Sequence, residues 1–214
     1  MLFKKSQSSQ HLSESDQDMD NEDHVIDPLA SEHPVAPPVH YVYHGPKLTS
    51  TKLYIGHDKD SPEFVMSIPG FFKYHQFQRC NPDGSIPEDS PILWRRPMKM
   101  FKFYLENPVD GTRVDMQSGK FFSRWHFQFV YCSQPYAWRR TKWSHSKWEC
   151  MRVDNDMKPV GPRVAYFTRK YFSRVQGTID LHIDETWAEG FKEFLLYSAM
   201  IVIQEVESRE AARH

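Results

Sequence analysis

The chain has 214 residues, of which 39% are hydrophobic and 14% aromatic, and it contains only 9 glycines. This length and aromatic content fit one folded domain with a tail, and they exclude a wholly disordered chain, a collagen-like repeat and a coiled coil. The net charge of -1 conceals a segregation, because residues 91–177 carry seventeen basic and six acidic side chains, a net +11. Such a segment favours an anionic partner, namely a phospholipid surface, a nucleic acid or an acidic protein.

Residues 1–40 form an acidic segment without hydrophobic periodicity. They carry eight acidic and two basic side chains, a net -6, and four prolines. Such a composition cannot bury enough apolar area to offset the entropy of ordering. We therefore predict a disordered acidic tail over residues 1–40 and a single domain over residues 41–214.

From Tyr41 onward, short runs of alternating apolar and polar residues are separated by turn signals such as Asn81-Pro82-Asp83-Gly84. Ten runs predict β-strands. They are Tyr41–Tyr43, Lys52–Ile55, Phe64–Ile68, Lys99–Leu105, Thr112–Gln117, His126–Tyr131, Tyr136–Thr141, Trp148–Val153, Arg163–Thr168 and Thr178–Ile183. No helix-length pattern lies between them, which favours an antiparallel barrel or sandwich over a parallel α/β sheet.

The end of the chain predicts one helix over residues 186–207. Thr186 and Glu189 have the spacing of a capping box, and the segment from Phe194 to Ile203 is apolar except for Ser198. A helix that is apolar on every side needs to be enclosed, yet ten residues are about half of what a membrane span requires. We therefore predict a closed antiparallel β-barrel of about ten strands around a buried hydrophobic C-terminal helix.

These elements resemble, in content and order, the tubby C-terminal-like superfamily, which includes tubby proteins, phospholipid scramblases and plant LURP-one-related proteins. The likeness covers residues 45–207 and is greatest to uncharacterised fungal members. The segments that carry it are Phe127–Phe129, Tyr136–Arg140, Trp148–Cys150, Val164–Phe167, Gly177–Leu181 and the helix from Phe191 to Ile203. The resemblance implies twelve strands around the helix, two more than the sequence pattern predicts.

The functional residues of that superfamily do not carry over to this chain. The resemblance implies phosphoinositide binding of the tubby type, but the basic residues responsible cannot be matched one by one here. Scramblases have a calcium-binding segment and a membrane-inserting helix, whereas the helix here continues into the polar run Glu205–Glu210. That departure argues against scrambling.

No catalytic, metal or cofactor pattern is legible. The chain lacks a Gly-x-Ser-x-Gly elbow, a Walker loop and a Rossmann glycine pattern. Cys80, Cys132 and Cys150 are widely spaced, so neither a zinc site nor a disulfide framework is expected, and we interpret them as small core residues. We predict a non-enzymatic protein without metal or cofactor.

The candidate binding site is a basic and aromatic hairpin. Arg139, Lys142, Lys147 and Arg152 are predicted to contact an anion, with Trp143 as an interfacial anchor. If Trp138 points into the core, then Arg139 faces outward, because neighbouring residues of a strand face opposite sides. Stacking and phosphate contact would also suit single-stranded nucleic acid, and a solvated loop with Trp143 packed on the barrel is the alternative without function.

The sequence thus favours a binding module that attaches peripherally to membranes or phosphoinositides through a basic surface. The alternatives are a protein-interaction scaffold with a regulatory acidic tail, in which the tail is the part that is recognised, and a small-molecule binder or enzyme at the barrel mouth. No secretory h-region and no apolar run of membrane-spanning length occur, so an intracellular location, cytoplasmic or nuclear and peripheral to a membrane, is expected.

Overall fold

A computed structural model describes residues 37–45, 51–68, 74–97, 103–121, 124–141, 146–170, 176–183, 187 and 190–211. It contains twelve strands and one helix in these residues. The strands are β1 Val39–His44, β2 Lys52–Gly56, β3 Pro62–Ser67, β4 His75–Arg79, β5 Ile92–Arg96, β6 Tyr104–Glu106, β7 Arg113–Phe121, β8 Arg124–Tyr131, β9 Gln134–Arg140, β10 Lys147–Val153, β11 Pro159–Arg169 and β12 Gln176–Leu181, and the helix α1 is Phe191–Ala211.

The twelve strands form a closed antiparallel barrel. Each strand pairs with its neighbour in sequence, and β1 pairs with β12 from Val39↔Leu181 to His44↔Gln176, which closes the sheet. A side chain at Gly177 in this closing region would collide with the carbonyl oxygen of Thr168, 2.1 Å from an ideal Cβ, and with the ring of Tyr43 at 2.5 Å. Glycine at this position therefore allows β12 to approach its two neighbours closely.

The lumen of the barrel is filled by α1, as the sequence predicts. Ten consecutive residues, Phe194 to Ile203, are at most 2% exposed. Phe194 packs against Trp94 on β5 and against Phe129 and Tyr131 on β8, with ring centroids 5.0 Å away in each case. Because aromatic rings approach the helix from several strands, this part of the helix needs no polar face.

Three polar side chains of this core have hydrogen-bond partners. The indole Nε1 of Trp138 donates to Ser198 Oγ at 3.0 Å, and that hydroxyl donates to the carbonyl of Leu195 at 3.1 Å. The hydroxyl of Tyr197 donates to the carbonyl of His75 at 3.0 Å. Ser198, the single interruption of the apolar run, therefore serves as the partner of a buried indole, which would otherwise lose its hydrogen bond to water.

Two strands were not predicted from the sequence. β4 has the sequence His-Gln-Phe-Gln-Arg, in which Phe77 is the only ordinary apolar residue, and β5 is a short run flanked by Pro91 and Pro97 that ends in two arginines. Both alternate correctly, since Phe77 and Trp94 are buried. Most other residues of these two strands are polar or cationic, because the outer face of a barrel is solvated, and they concealed the alternation of buried and exposed positions. Of the predicted strand Lys99–Leu105, residues 99–102 lie outside the described residues.

The predicted limits of the first strand and of the helix need correction. β1 begins at Val39, two residues before the predicted strand Tyr41–Tyr43, and residues 1–36 of the predicted tail lie outside the described residues. The helix begins at Phe191, five residues after Thr186, because Gly190 has a φ of 77° and its carbonyl accepts the first helical hydrogen bond, from Phe194. It continues to Ala211 rather than ending at residue 207.

Burial of a charge inside this lumen should unfold the protein. Met200 is fully buried in α1, so Met200→Asp is expected to lower the free energy of unfolding by roughly 3–5 kcal/mol, measured by urea denaturation. Val109→Asp is the matched control, since Val109 is 68% exposed in a turn and its replacement should change stability little. Equal stability of the Met200→Asp variant and the unsubstituted protein would contradict enclosure of the helix.

Candidate functional site

The closed antiparallel barrel has two rims, because consecutive connections emerge at opposite ends. The end of the barrel at which α1 begins is called the acidic rim. Its strand-to-strand connections are residues 57–61, 80–91, 107–112, 132–133 and 154–158. The opposite end is called the basic rim. The segments that connect the strands there are residues 45–51, 68–74, 97–103, 122–123, 141–146 and 170–175. The ion pair Arg79 Nη2–Glu193 Oε1, 2.8 Å, places the helix start at the acidic rim, and the pair Arg96–Glu205 places its later turns at the basic rim.

The connections of the acidic rim are short turns stabilised by their own carboxylates. Asp58 Oδ1 accepts from the backbone nitrogens of Asp60 and Ser61 at 2.8 and 2.7 Å, and Asp154 Oδ1 accepts from those of Asp156 and Lys158 at 2.9 and 2.8 Å. The five connections contain eight acidic residues, two lysines and no Phe, Tyr or Trp. Turn formation thus explains several of these carboxylates, because Asp side chains bond the backbone two residues on.

The connections of the basic rim have the opposite composition. In the sequence the six segments contain seven Lys or Arg residues and no Asp or Glu, together with several Phe, Tyr, Trp, Met and Leu residues, and of the seven cations Lys170 alone belongs to the described residues. Parts of them are described: Thr141 N donates to Lys147 O at 3.0 Å, Arg169 N to Ser146 O at 2.9 Å, and Lys170 N to Gln176 O at 2.9 Å. These bonds bring the ends of β9, β10, β11 and β12 together, and both Lys147 and Lys170 are exposed there.

The structure does not gather the five predicted anion-contact residues into one patch. Lys142 and Trp143 lie outside the described residues. Lys147 and Arg152 stand at opposite ends of β10, Lys147 at the basic rim and Arg152, paired with Tyr136, toward the acidic rim. Five residues of extended strand separate them by roughly 16 Å.

Arg139 faces outward, as predicted, but its charge is already compensated. Its Nη2 donates to Glu149 Oε1 at 3.2 Å and lies 3.0 Å from the sulfur of Met151, and its side chain is 29% exposed. Arg139 belongs to a row of residues across the outer wall of the barrel, in which each residue is the cross-strand partner of the next. The row runs His126, Arg139, Glu149, Tyr166, Asp180 and His40. Burial, with Arg139 alongside, lowers the pKa of His126, so the row is built from neutral and paired groups.

A polar cluster that sequence reasoning missed lies inside the barrel near the basic rim. His75 and Arg96 are register partners on β4 and β5, on the same side of the sheet as the buried Phe77. Burial and the adjacent Arg96 lower the pKa of His75 to about 4, with Glu205 opposing, so the imidazole is neutral at pH 7. The only sequence signal was the alternation of His75 and Phe77 with two glutamines in β4, which places His75 on the inner face.

The three cysteines are free thiols in different settings. Cys150 is fully buried, and burial raises the pKa of its thiol. Cys132 is exposed and has a φ of 46° in the two-residue turn between β8 and β9. The interpretation as small core residues is therefore confirmed for Cys150 and wrong for Cys132, where a tight hairpin turn places the side chain outside.

No family model, curated protein or solved structure matches this chain. Among the residues that the structure describes, no helix is long and apolar enough to span a membrane, and no group of three or more His, Cys, Asp and Glu is arranged to hold a metal ion. The two rims, the outer row and the inner cluster are the features from which a function can be argued.

The inner cluster makes stability depend on pH. The pKa of His75 is about 4 in the folded protein against 6.5 ordinarily, so its contribution is full above pH 6.5 and is lost as the pH falls toward 4. As the pH falls from 7 to 4.5, the lowered pKa of His75 should reduce the free energy of unfolding by about 2 kcal/mol. Urea titrations should show that His75→Phe loses less stability over this interval than the unsubstituted protein. Equal losses would contradict a neutral, buried His75.

Proposed function

We propose that this protein is a non-enzymatic module that attaches peripherally to anionic phospholipid surfaces through the basic rim. The observation that carries the proposal is the division of charge between the rims: the connections at one end contain only basic charged residues, those at the other end mainly acidic ones. The filled lumen supports a binding role, since α1 occupies the interior in which a barrel would otherwise hold a substrate.

The composition of the basic rim suits a membrane interface better than a nucleic acid or an acidic protein. In the sequence, the segments that connect the strands at this end combine cations with large apolar and aromatic residues, as in Phe71-Phe72-Lys73, Met100-Phe101-Lys102 and Lys142-Trp143, all of which lie outside the described residues. Aromatic side chains prefer the headgroup region, and each cation near an anionic leaflet contributes on the order of 1 kcal/mol. Lys147 and Lys170 are two cationic members of this surface that the structure describes, and both are exposed.

The charge of the acidic rim gives the attachment a direction. Its eight carboxylates are repelled by an anionic leaflet, while the opposite end is attracted. In the proposed orientation the barrel axis is perpendicular to the membrane surface, and the C-terminal part of α1 is nearest the lipid. Arg152 lies toward the acidic rim, and Arg139, near the basic-rim end of β9, is paired with Glu149, so neither residue takes part in this contact.

Membership of the tubby C-terminal-like superfamily is also part of the proposal. A barrel of twelve strands around a C-terminal helix supports it, because this is the architecture that the resemblance implies. The two strands absent from the sequence prediction, β4 and β5, account for the difference in strand number.

Reversal of two charges at the basic rim should abolish lipid attachment. The combined substitution Lys147→Glu and Lys170→Glu is expected to weaken binding to vesicles of phosphatidylcholine and phosphatidylserine by more than about tenfold, because two attractive charges become repulsive. Sedimentation with vesicles at low salt measures the effect, and binding should fall as salt is added. Stability should be nearly unchanged, since exposed charges contribute little to folding.

The matched control reverses two lysines at the other end. Lys59→Glu with Lys158→Glu changes the net charge by the same amount at the acidic rim, so vesicle binding should persist. Equal weakening by the two double variants would mean that net charge, not the basic rim, governs binding. Absence of binding by the unsubstituted protein at low salt would overturn the lipid proposal.

A further inference from the structure

The basic rim carries an exposed aromatic side chain. Among the residues whose side chains the structure describes, Tyr74, which is 36% exposed, is the one exposed aromatic residue. The other exposed large apolar residues of this part of the chain all lie at the acidic-rim ends of strands or in the turns there, and they are Val39, Val109, Val130 and Val160. Single valines are ordinary on a protein surface, whereas an exposed ring among cations is a feature that a binding surface uses.

The ring of Tyr74 is held in place on the outer wall by Arg95. Tyr74 directly precedes β4, and because the next residue, His75, is buried on the inner face, Tyr74 faces outward. The guanidinium carbon of Arg95 lies 4.6 Å from the centre of the Tyr74 ring. Arg95 in turn forms an ion pair with its cross-strand partner Glu106. The rim therefore presents the ring in a defined position, beside a cation whose charge is compensated.

Tyr74 lies across the mouth of the barrel from the two lysines of the proposed lipid contact. Lys147 begins β10 and Lys170 follows β11, whereas Tyr74 precedes β4. In a closed ring of twelve strands, β4 and β10 are six strands apart and therefore opposite each other. With strands about 4.8 Å apart and tilted by about 40°, such a barrel is about 24 Å across.

A contact made by the two lysines alone would hold only one side of the rim. At physiological ionic strength an exposed charge acts over about 8 Å, which is a third of the width of the barrel. An end-on orientation therefore needs a second contact on the side of β4. Tyrosine suits that contact, because its ring favours the headgroup region of a membrane and its hydroxyl remains in a polar environment.

We propose that Tyr74 is a second membrane anchor, whose ring enters the headgroup region opposite Lys147 and Lys170 and fixes the barrel end-on. This inference rests on the lipid attachment proposed for the basic rim, and it adds the residue that sets the orientation of the attached protein. Because the anchor is uncharged, its contribution persists when salt screens the lysines.

Sedimentation of the full chain with vesicles of phosphatidylcholine and phosphatidylserine tests the anchor. Tyr74→Ala is expected to raise the apparent dissociation constant at least about threefold, and Tyr74→Phe, which keeps the ring, is expected to retain binding. The matched control is Tyr166→Ala. Tyr166 also stacks on an arginine, Arg163, at 4.8 Å, but it lies in the outer wall, three residues or about 10 Å before the basic-rim end of β11. Its replacement should leave vesicle binding unchanged.

A second measurement reports the orientation directly. The full chain labelled with fluorotyrosine is studied by fluorine NMR with vesicles that carry a gadolinium-chelating lipid, and the Tyr74 and Tyr166 signals are assigned from the Tyr74→Phe and Tyr166→Phe variants. We expect the signal of Tyr74 to broaden more than that of Tyr166. Because Arg95 keeps its ion pair with Glu106, Tyr74→Ala is expected to fold, and urea denaturation verifies this.

The results separate failure of the anchor from failure of lipid attachment. Equal binding by Tyr74→Ala and the unsubstituted protein, with binding lost in Lys147→Glu with Lys170→Glu, would overturn the anchor and leave lipid attachment standing. Equal weakening by Tyr74→Ala and Tyr166→Ala, or equal broadening of the two signals, would also overturn the anchor. Absence of binding by the unsubstituted protein would overturn both proposals.

Discussion

Enclosure of an all-round apolar helix is the constraint on which the rest of this structure depends. A helix with no polar side cannot rest against one sheet, because its far side would remain in water. The barrel solves this by surrounding α1 with twelve strands, and Phe194 alone meets three aromatic rings from two of them. Closure follows from the same requirement, and it leaves every described strand paired on both sides, so no edge is exposed to another chain.

The direction of the helix matches the charges of the two rims. The amino end of a helix carries a partial positive charge and the carboxyl end a partial negative one. Here the amino end lies at the rim with eight carboxylates and the carboxyl end at the rim with the cations. The charge distribution on which the proposed attachment depends is therefore also favourable to the fold.

The architecture could be predicted further than the site. The apolar run from Phe194 to Ile203 requires enclosure whatever its neighbours are, which is why the barrel was predictable without an alignment. The helix start was not, because a capping-box spacing at Thr186 and Glu189 competes with Gly190, whose positive φ interrupts any helix that begins before it. The capping-box spacing is a local feature of the sequence, whereas the residue at which the helix actually begins depends on where the barrel ends.

The site depended on topology that sequence alone does not supply. Clustering in the sequence suggested that Arg139, Lys147 and Arg152 act together, but Arg152 lies at the opposite end of β10 from Lys147, and Arg139 is paired with Glu149. Conversely, Lys147 and Lys170 are far apart in sequence and meet at one rim. His75 and Arg96 became partners only once β4 and β5 were known to pair. A pattern of alternation assigns a residue to a face, but register and closure decide its neighbours.

The position of α1 after all twelve strands has a consequence for biosynthesis. The element that fills the lumen leaves the ribosome after all twelve strands, and β1 must wait for β12 before the sheet can close. At about 5–20 residues per second, the nascent strands spend on the order of ten seconds with their aromatic faces uncovered. Such a chain is exposed to premature strand pairing with other molecules throughout that interval, and holding by a chaperone until the helix emerges would protect it.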